Sequence, residues 1–310
     1  PPPASVPTAP SVEAPIAQKA EYSASAQITP KAIELAEELG VDYHYVVGTG
    51  RFGMISRDDI RAAAAAGTAQ KVKSQPVPQQ PANATSKMTS MQLTIAKAME
   101  NSLKSTAQTT ISMDMDASSL VKFYQANKEA YNRQGSKLTY TVLLIKLVAL
   151  ALSEHKLLRT VIEDTNLVTH GEINIGIAID VADGLIVPNI KNAQQKSLRQ
   201  IATELADLAN RAKNNTLTMD EITGGTFTIT NLGSFGIKYF TPVLNPGESA
   251  ILGVGTLQEV PYIHEGGIFV KPVMNLSLTH DHRIVNGAPA ARFLQTIQQL
   301  MNTCETIFEA

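Results

Sequence analysis

From residue 88 onward, apolar residues recur in blocks whose spacing alternates between helical and strand periods, whereas residues 1–26 and 65–87 show neither. Lys137 to His155 (KLTYTVLLIKLVALALSEH) is apolar around most of a helix circumference and free of Gly and Pro, which predicts a buried helix. Residues 174–190 (NIGIAIDVADGLIVPNI) predict two apolar strands joined at Asp183-Gly184. A helical period returns over 198–214 through Leu198, Ile201, Leu205 and Leu208. GTFTITNLG (225–233), SAILGVGTL (249–257) and VMNLSLTHD (273–281) read as strands, and Pro289 to Met301 as a closing helix. In the last strand Met274, Leu276 and Leu278 share one side, and Asn275, Ser277 and Thr279 the other. This mixture predicts one α+β domain over 88–310.

Residues 27–64 form an island between two expected linkers, 1–26 and 65–87. Both linkers are rich in Pro, Ala, Ser or Gln, and cannot bury enough apolar surface to offset the entropy of ordering. In the island, Thr29 as a cap and Pro30 open a helix that carries Ile33, Leu35, Ala36 and Leu39 and stops at Gly40. A glycine loop follows, Gly48-Thr49-Gly50-Arg51-Phe52-Gly53; then Ser56, Asp58 and Asp59 open a second helix. Such a core is near the lower size limit for independent folding. The loop admits a phosphate-binding reading, but no clear strand precedes it and the P-loop lysine is missing.

Composition removes several classes of function. With 310 residues, 44% of them hydrophobic, the chain can bury a large core, and a net charge of -2 offers nothing to nucleic acid or an anionic membrane surface. Cys304 is the sole cysteine, which excludes an internal disulfide and any cysteine-rich metal site, and fits a reducing compartment. It is expected to be an inert, partly buried thiol. No apolar run approaches the ~20 residues that cross a bilayer, and the N-terminus lacks the layout of a signal peptide. The chain opens on Pro1 rather than Met, as a processed product or a fragment does.

Two of the six histidines fall within His280-Asp281-His282-Arg283, at the polar end of the 273–281 strand. A histidine among polar groups is a general-base candidate; a His beside Asp and Arg at a strand end is also a common structural network. No HExxH pair completes a zinc ligand set, so no metal is expected, and no GxSxG elbow makes His282 the partner of a nucleophilic serine. A second polar cluster, Thr226, Thr228, Thr230 and Asn231, ends the strand before Gly233; taken alone, such hydroxyls are ordinary solvent-facing strand residues.

The segments GGTFTITNLGSFGIKYFTPVLNPGESAILGVG (224–255) and LSLTHDHRIVNGA (276–288) closely resemble the catalytic domain of dihydrolipoamide acyltransferases, the E2 cores of 2-oxo acid dehydrogenase complexes. The resemblance runs through 88–310, and 27–64, with LAEELGVD and GTG in order, resembles their peripheral-subunit-binding domain. The lipoyl domain that normally comes first is not in this chain, and 1–26 corresponds to the linker behind it. The resemblance implies an α+β, chloramphenicol-acetyltransferase-like fold, trimers with the active site between subunits, and often larger cages built from those trimers. The implied activity is transfer of an acyl group between dihydrolipoamide, carried on a lipoyl domain outside this chain, and coenzyme A. SFGIKYFTPVLNP is most similar to acetyl-transferring members, of pyruvate and acetoin systems alike. By resemblance, His282 is the catalytic base and Thr230, a serine in many relatives, holds the oxyanion from the neighbouring subunit. A base is needed because a thiol with a pKa near ~8.5 is mostly protonated at neutral pH, and the thiolate is the nucleophile. The implied compartment is the cytoplasm of a bacterium, or the mitochondrial matrix or plastid stroma of a eukaryote.

Departures from the family pattern are specific. The usual Asp four residues after the histidine is Asn286, which keeps hydrogen-bonding capacity and stands as the third catalytic candidate. The usual arginines near the start of the domain are Gln92 and Ala98; if one normally pairs with that Asp, both charges have gone together and no buried charge is left unpaired. In the small domain two basic positions are Ile33 and Met54, leaving Lys31, Arg51, Arg57 and Arg61 to grip E1 or dihydrolipoamide dehydrogenase subunits, or to be plain surface charges. The alternative from another class is a structural core that has lost catalysis: His282 and Thr230 speak against it, Asn286 for it.

Overall fold

The computed structural model describes residues 27–67, 86–182 and 184–309, so the two expected linkers lie almost wholly outside the described residues. The chain divides into two compact units, Pro1–Ser86 and Lys87–Ala310.

The first unit holds α1 (Pro30–Leu39) and α2 (Arg57–Ala65) around a core of Ala32, Ala36, Val41, Ile55 and Ile60. Pro30 takes the first helical turn and Gly40 ends it at φ 64. Thr29 is extended as a cap residue should be, yet its side chain makes no cap bond, so the proline alone sets this start. Ser56 and Asp59 form a reciprocal capping box on α2. Asp59 also accepts from Thr49 Oγ1 at 2.6 Å and Thr49 N at 3.3 Å, which ties the glycine loop to α2. Burial works against that carboxylate, but the Thr49 and Ser56 donors outweigh it and hold it at about 2. An anion has no place here: a carboxylate already fills the loop, and a Cβ at Gly48 would sit 2.3 Å from the Gly53 carbonyl. These glycines serve close packing rather than phosphate. Phe52 is left at φ 64, 85% exposed, with the Arg51 guanidinium 5.1 Å from its ring centroid.

The second unit runs α3 (Ser90–Ser105), β1 (Gln108–Asp116), α4 (Ser118–Arg133), α5 (Tyr140–Glu154), β2 (Thr160–Glu163), β3 (Asn166–Thr169), β4 (Ile175–Ile177), β5 (Ile179–Val181), β6 (Gly184–Ile186) and β7 (Asn189–Ile190). It continues through α6 (Leu198–Lys213), α7 (Met219–Ile222), β8 (Phe227–Asn231), β9 (Ala250–His264), β10 (Gly267–Asp281), α8 (Gly287–Asn302) and α9 (Cys304–Glu309). The six-stranded sheet has the order β1-β10-β9-β8-β4-β7, with β8 parallel to β9 and β4 and every other pair antiparallel. The expected α+β class holds. Helix α5 is buried nearly all round, as its unbroken apolar run requires, and packs between α6, α8 and the sheet.

One of three expectations holds and two change. Residues 174–190 form the expected hairpin in a single register, from Ile175 opposite Ile190 to Val181 opposite Gly184. At Pro188, which accepts the Ile177 N–H at 2.9 Å but has no N–H to return, the ladder divides into β4–β7, which joins the main sheet, and β5–β6. Asp183 of the expected turn lies outside the described residues. The strands foreseen over 249–257 and 273–281 are only the inner halves of β9 and β10, which continue to a two-residue turn at Glu265 (φ 46) and Gly266 (φ 78). The polar side of β10 is also buried: Thr279 bonds Thr110 (2.7 Å), Ser277 bonds Ser112 (2.9 Å), and Asn275 Nδ2 donates to Asp114 (2.6 Å) on β1. Alternation revealed two faces but not what would cover the second.

Candidate active site

That alternation sorts the sheet chemically. Phe227 and Ile229 of β8, Leu252 and Val254 of β9, and Leu276 and Leu278 of β10 belong to the core. Thr228 and Thr230, opposite Ile251 and Gly253, therefore point to the other face, where they line a cavity of about 350 Å³. Its walls include Ala98 and Met99 of α3, Phe240, and the loop from Pro242 to Pro246. Gly253 is required beneath Phe240, since a Cβ would lie 2.8 Å from the ring. The cavity is apolar apart from Thr94, Thr228, Thr230 and Asn245, a setting in which one hydroxyl donor counts heavily.

The four hydroxyl-cluster residues separate in role. Thr226 is buried and pairs with the Asn174 backbone; Thr228 is buried and donates to Glu248 at 2.9 Å; Asn231 accepts from Gly233 N and donates to Thr141. Two of the expected solvent-facing threonines are thus internal. Thr230 is half-buried and faces the cavity.

At the end of β10 the polar cluster is partly structural. Asp281 is 1% exposed and receives Arg283 Nε on both oxygens (3.0 Å each), Nη2 at 2.6 Å, and the N–H groups of Ala107 and Arg283. Burial opposes this carboxylate, but Arg283 prevails and keeps it below the usual range. Between the two, exposed His282 donates its N–H to the Ala107 carbonyl at 2.8 Å. The Asp281–Arg283 clasp therefore holds the turn that presents the His282 ring. His280 is fully buried 5.9 Å from that ring, and neither of its nitrogens has a hydrogen-bond partner among the described residues. Burial and then His282 push its pKa down, while the nearby Leu278 backbone favours the proton. Asn286 occupies the N-cap of α8, where it is exposed and makes no side-chain cap bond.

The described chain does not bring the three candidates together: neither His282 nor Asn286 lines the cavity of Thr230. Gln92 closes a capping box with Thr89, and Ala98 is part of the cavity wall. Lys31, Arg51 and Arg57 are exposed and form no ion pair among the described residues, while Arg61 pairs with Asp58 at 3.1 Å. Among the described residues no group of three or more His, Cys, Asp or Glu side chains could hold a metal, and no helix is long and apolar enough to cross a membrane. Sequence reasoning missed the Phe240–Pro246 wall and Glu248; an acid set just before the apolar run SAILGVG was the available signal.

The family model for the catalytic domain of 2-oxoacid dehydrogenases acyltransferase matches residues 80–309, and that for the e3 binding domain matches 26–61. The acetyltransferase component of the acetoin cleaving system of Bacillus subtilis is 37% identical over 273 residues, covering 88% of this chain and 68% of the relative. A dihydrolipoamide acetyltransferase of Azotobacter vinelandii, described for the role of a serine, a histidine and an asparagine in its catalytic mechanism, aligns with TM-score 0.71 and 33% identity over 74% of this chain and 96% of that one. The cubic core of a pyruvate dehydrogenase multienzyme complex aligns with TM-score 0.70 and 34% identity, over 72% and 93%.

Proposed function

The chain belongs to the 2-oxoacid dehydrogenase acyltransferases, and from that premise we propose that it moves an acetyl group between the dihydrolipoamide of a lipoyl domain and coenzyme A. His282 takes the thiol proton on a ring nitrogen, and the thiolate attacks the thioester carbonyl. Thr230 donates its hydroxyl hydrogen to the tetrahedral oxyanion. Collapse expels the second thiolate, which recovers the proton from His282. Asn286, whose side chain has no cap to satisfy, is the third member. The Azotobacter relative supports all three: its serine, histidine and asparagine are spaced as Thr230, His282 and Asn286 are here, so the asparagine is no sign of lost catalysis.

The observation that carries the reading is a separation. Thr230 is opposite Gly253 and Gly253 opposite Ser277, so Thr230 stands two strands from β10, and His282 lies five residues beyond Ser277. At ~3.3 Å per residue and ~4.8 Å per strand the two are roughly 15–20 Å apart. A base and an oxyanion donor acting on one thioester must each come within about 3 Å of it. Two copies of the chain are therefore needed, one lending His282 and the other Thr230. This supports assembly into trimers and a larger core, with residues 27–64 recruiting the dehydrogenase subunits.

Turnover of acetyl-coenzyme A with free dihydrolipoamide tests the roles. His282→Ala is expected to lower kcat by ~10²–10⁴ and Thr230→Ala by ~10²–10³, with KM little changed, while Thr230→Ser retains most activity. A Thr230→Ser enzyme as poor as Thr230→Ala, or an active His282→Ala, refutes the assignment.

A further inference from the structure

Outside the three candidates, a buried acid of the second unit has no cation among the described residues. Glu248 lies just before β9 with 7% exposure. Its Oε1 accepts from Thr228 Oγ1 at 2.9 Å and from Asn245 Nδ2 at 3.5 Å, and Asn245 Nδ2 also donates to Thr228 Oγ1 at 2.7 Å. Oε2 has no hydrogen-bond partner among the described residues. Thr228 and Asn245 both line the cavity that holds Thr230, the first on β8 and the second on the Pro242–Pro246 wall. Glu248 is thus the node that fastens this wall to the strand carrying Thr230. Glu248 is closely packed in this position: a Cβ at Gly225 would meet Oε1 at 2.9 Å.

The surroundings favour a neutral carboxyl. On its other side Glu248 lines a second cavity with Asp281, Arg283 and Asp164. Arg283 is committed to Asp281, and the remaining charges there, Asp281 and Asp164, have the same sign as an ionised Glu248. The groups facing it from β8 and the wall loop, Thr228 and Asn245, are neutral. A carboxylate here would be a buried charge without a counter-ion, a costly state that a proton removes.

We propose that Glu248 is a positioning residue for the acyl transfer inferred above: uncharged, it holds the Pro242–Pro246 wall against β8, whereas its ionised form, although a better acceptor for Thr228 and Asn245, is drawn out of its buried place toward water, which loosens that wall and spoils the setting of Thr230. Burial, opposed only by the Thr228 and Asn245 donors, raises its pKa to about 7, so the effect falls within the working range. A folded pKa above the ordinary value means that the competent form dominates at lower pH and is lost as pH rises through about 7.

The test is the ratio of kcat/KM for Glu248→Gln to that of the wild-type full chain, measured with acetyl-coenzyme A and dihydrolipoamide from pH 6 to 9. Ionisations other than that of Glu248, the substrate thiol's among them, are common to both enzymes and cancel. Glutamine cannot ionise, so the ratio is expected to rise between pH 6 and 9 by on the order of tenfold to a hundredfold, following the competent fraction. A second variant, Thr228→Val, removes a donor that favours the carboxylate and is expected to move the alkaline decline to higher pH, a displacement that a purely structural role would not produce. A wild type without turnover removes the functional reading itself. Turnover with a ratio flat in pH, or an alkaline decline unmoved in Thr228→Val, overturns this proposal alone.

Discussion

Replacing Asp281 with Asn removes a charge from the clasp that presents His282 and keeps the shape of the side chain. The carboxylate accepts two bonds from Nε at 3.0 Å, one from Nη2 at 2.6 Å and two from backbone N–H groups at 3.2 and 3.1 Å. Hydrogen bonds to a charged group contribute about 1.5–3 kcal/mol each, and an amide would turn its NH₂ toward either the guanidinium or the backbone donors. The Arg283 side chain is 43% exposed and regains water, so the net loss is about 2–3 kcal/mol. For a unit of this size that lowers Tm by roughly 4–12 °C, read by calorimetry on the full chain. A freed turn also displaces the His282 ring, and kcat is expected to fall about tenfold or more. The sign with pH is fixed: the folded carboxyl titrates below its unfolded value, so its stabilisation is complete above ~3.9 and fades as pH falls through the folded value. The gap between wild type and variant should therefore close in acid. Unchanged Tm and kcat in Asp281→Asn would show that the β10 ladder holds the turn without the clasp.

Cys304 is fully buried, and burial, with Glu305 beside it, raises its thiol to about 11; it should resist iodoacetamide at pH 8 in the folded chain and react in urea, and fast native labelling would contradict this. Phe52→Gly should relieve the left-handed backbone and stabilise the small unit by about 1 kcal/mol, seen as slower amide exchange in α1 and α2; faster exchange would mean that the ring, not the backbone, governs this loop.

The residues proposed to carry chemistry were legible in the sequence because the motifs around Thr230 and His282 are contiguous, and α5 because its apolar run is unbroken. The partnership of β1 with β10 was not legible. Thr110 and Ser112 read as an unremarkable polar alternation until Thr279 and Ser277 are set against them, and nothing local encodes that pairing. Glu248 was obscured for a related reason: its burial against Thr228 and Asn245, with Arg283 already committed to Asp281, is brought about only by the fold. The outer halves of β9 and β10 were hidden by Pro261 and Pro272, which interrupt the pattern but are tolerated where the hairpin extends past the partner strand β1.

The pairing of β1 with β10 also sets a timetable. Among the described residues β1 bonds to no other strand, and Thr110 meets Thr279 across 169 residues of chain. At ~5–20 residues per second of synthesis, β1 leaves the ribosome on the order of ten to thirty seconds before its partner exists. A long loop must then close before any ladder bond rewards it, which places this sheet among slow folders with many non-local contacts. During that interval an extended segment with unpaired N–H and C=O groups is open to strands of neighbouring nascent chains. In a protein whose proposed active site needs several copies close together, the crowding that favours assembly also favours mispairing, and β10 arrives as the competitor that ends the risk.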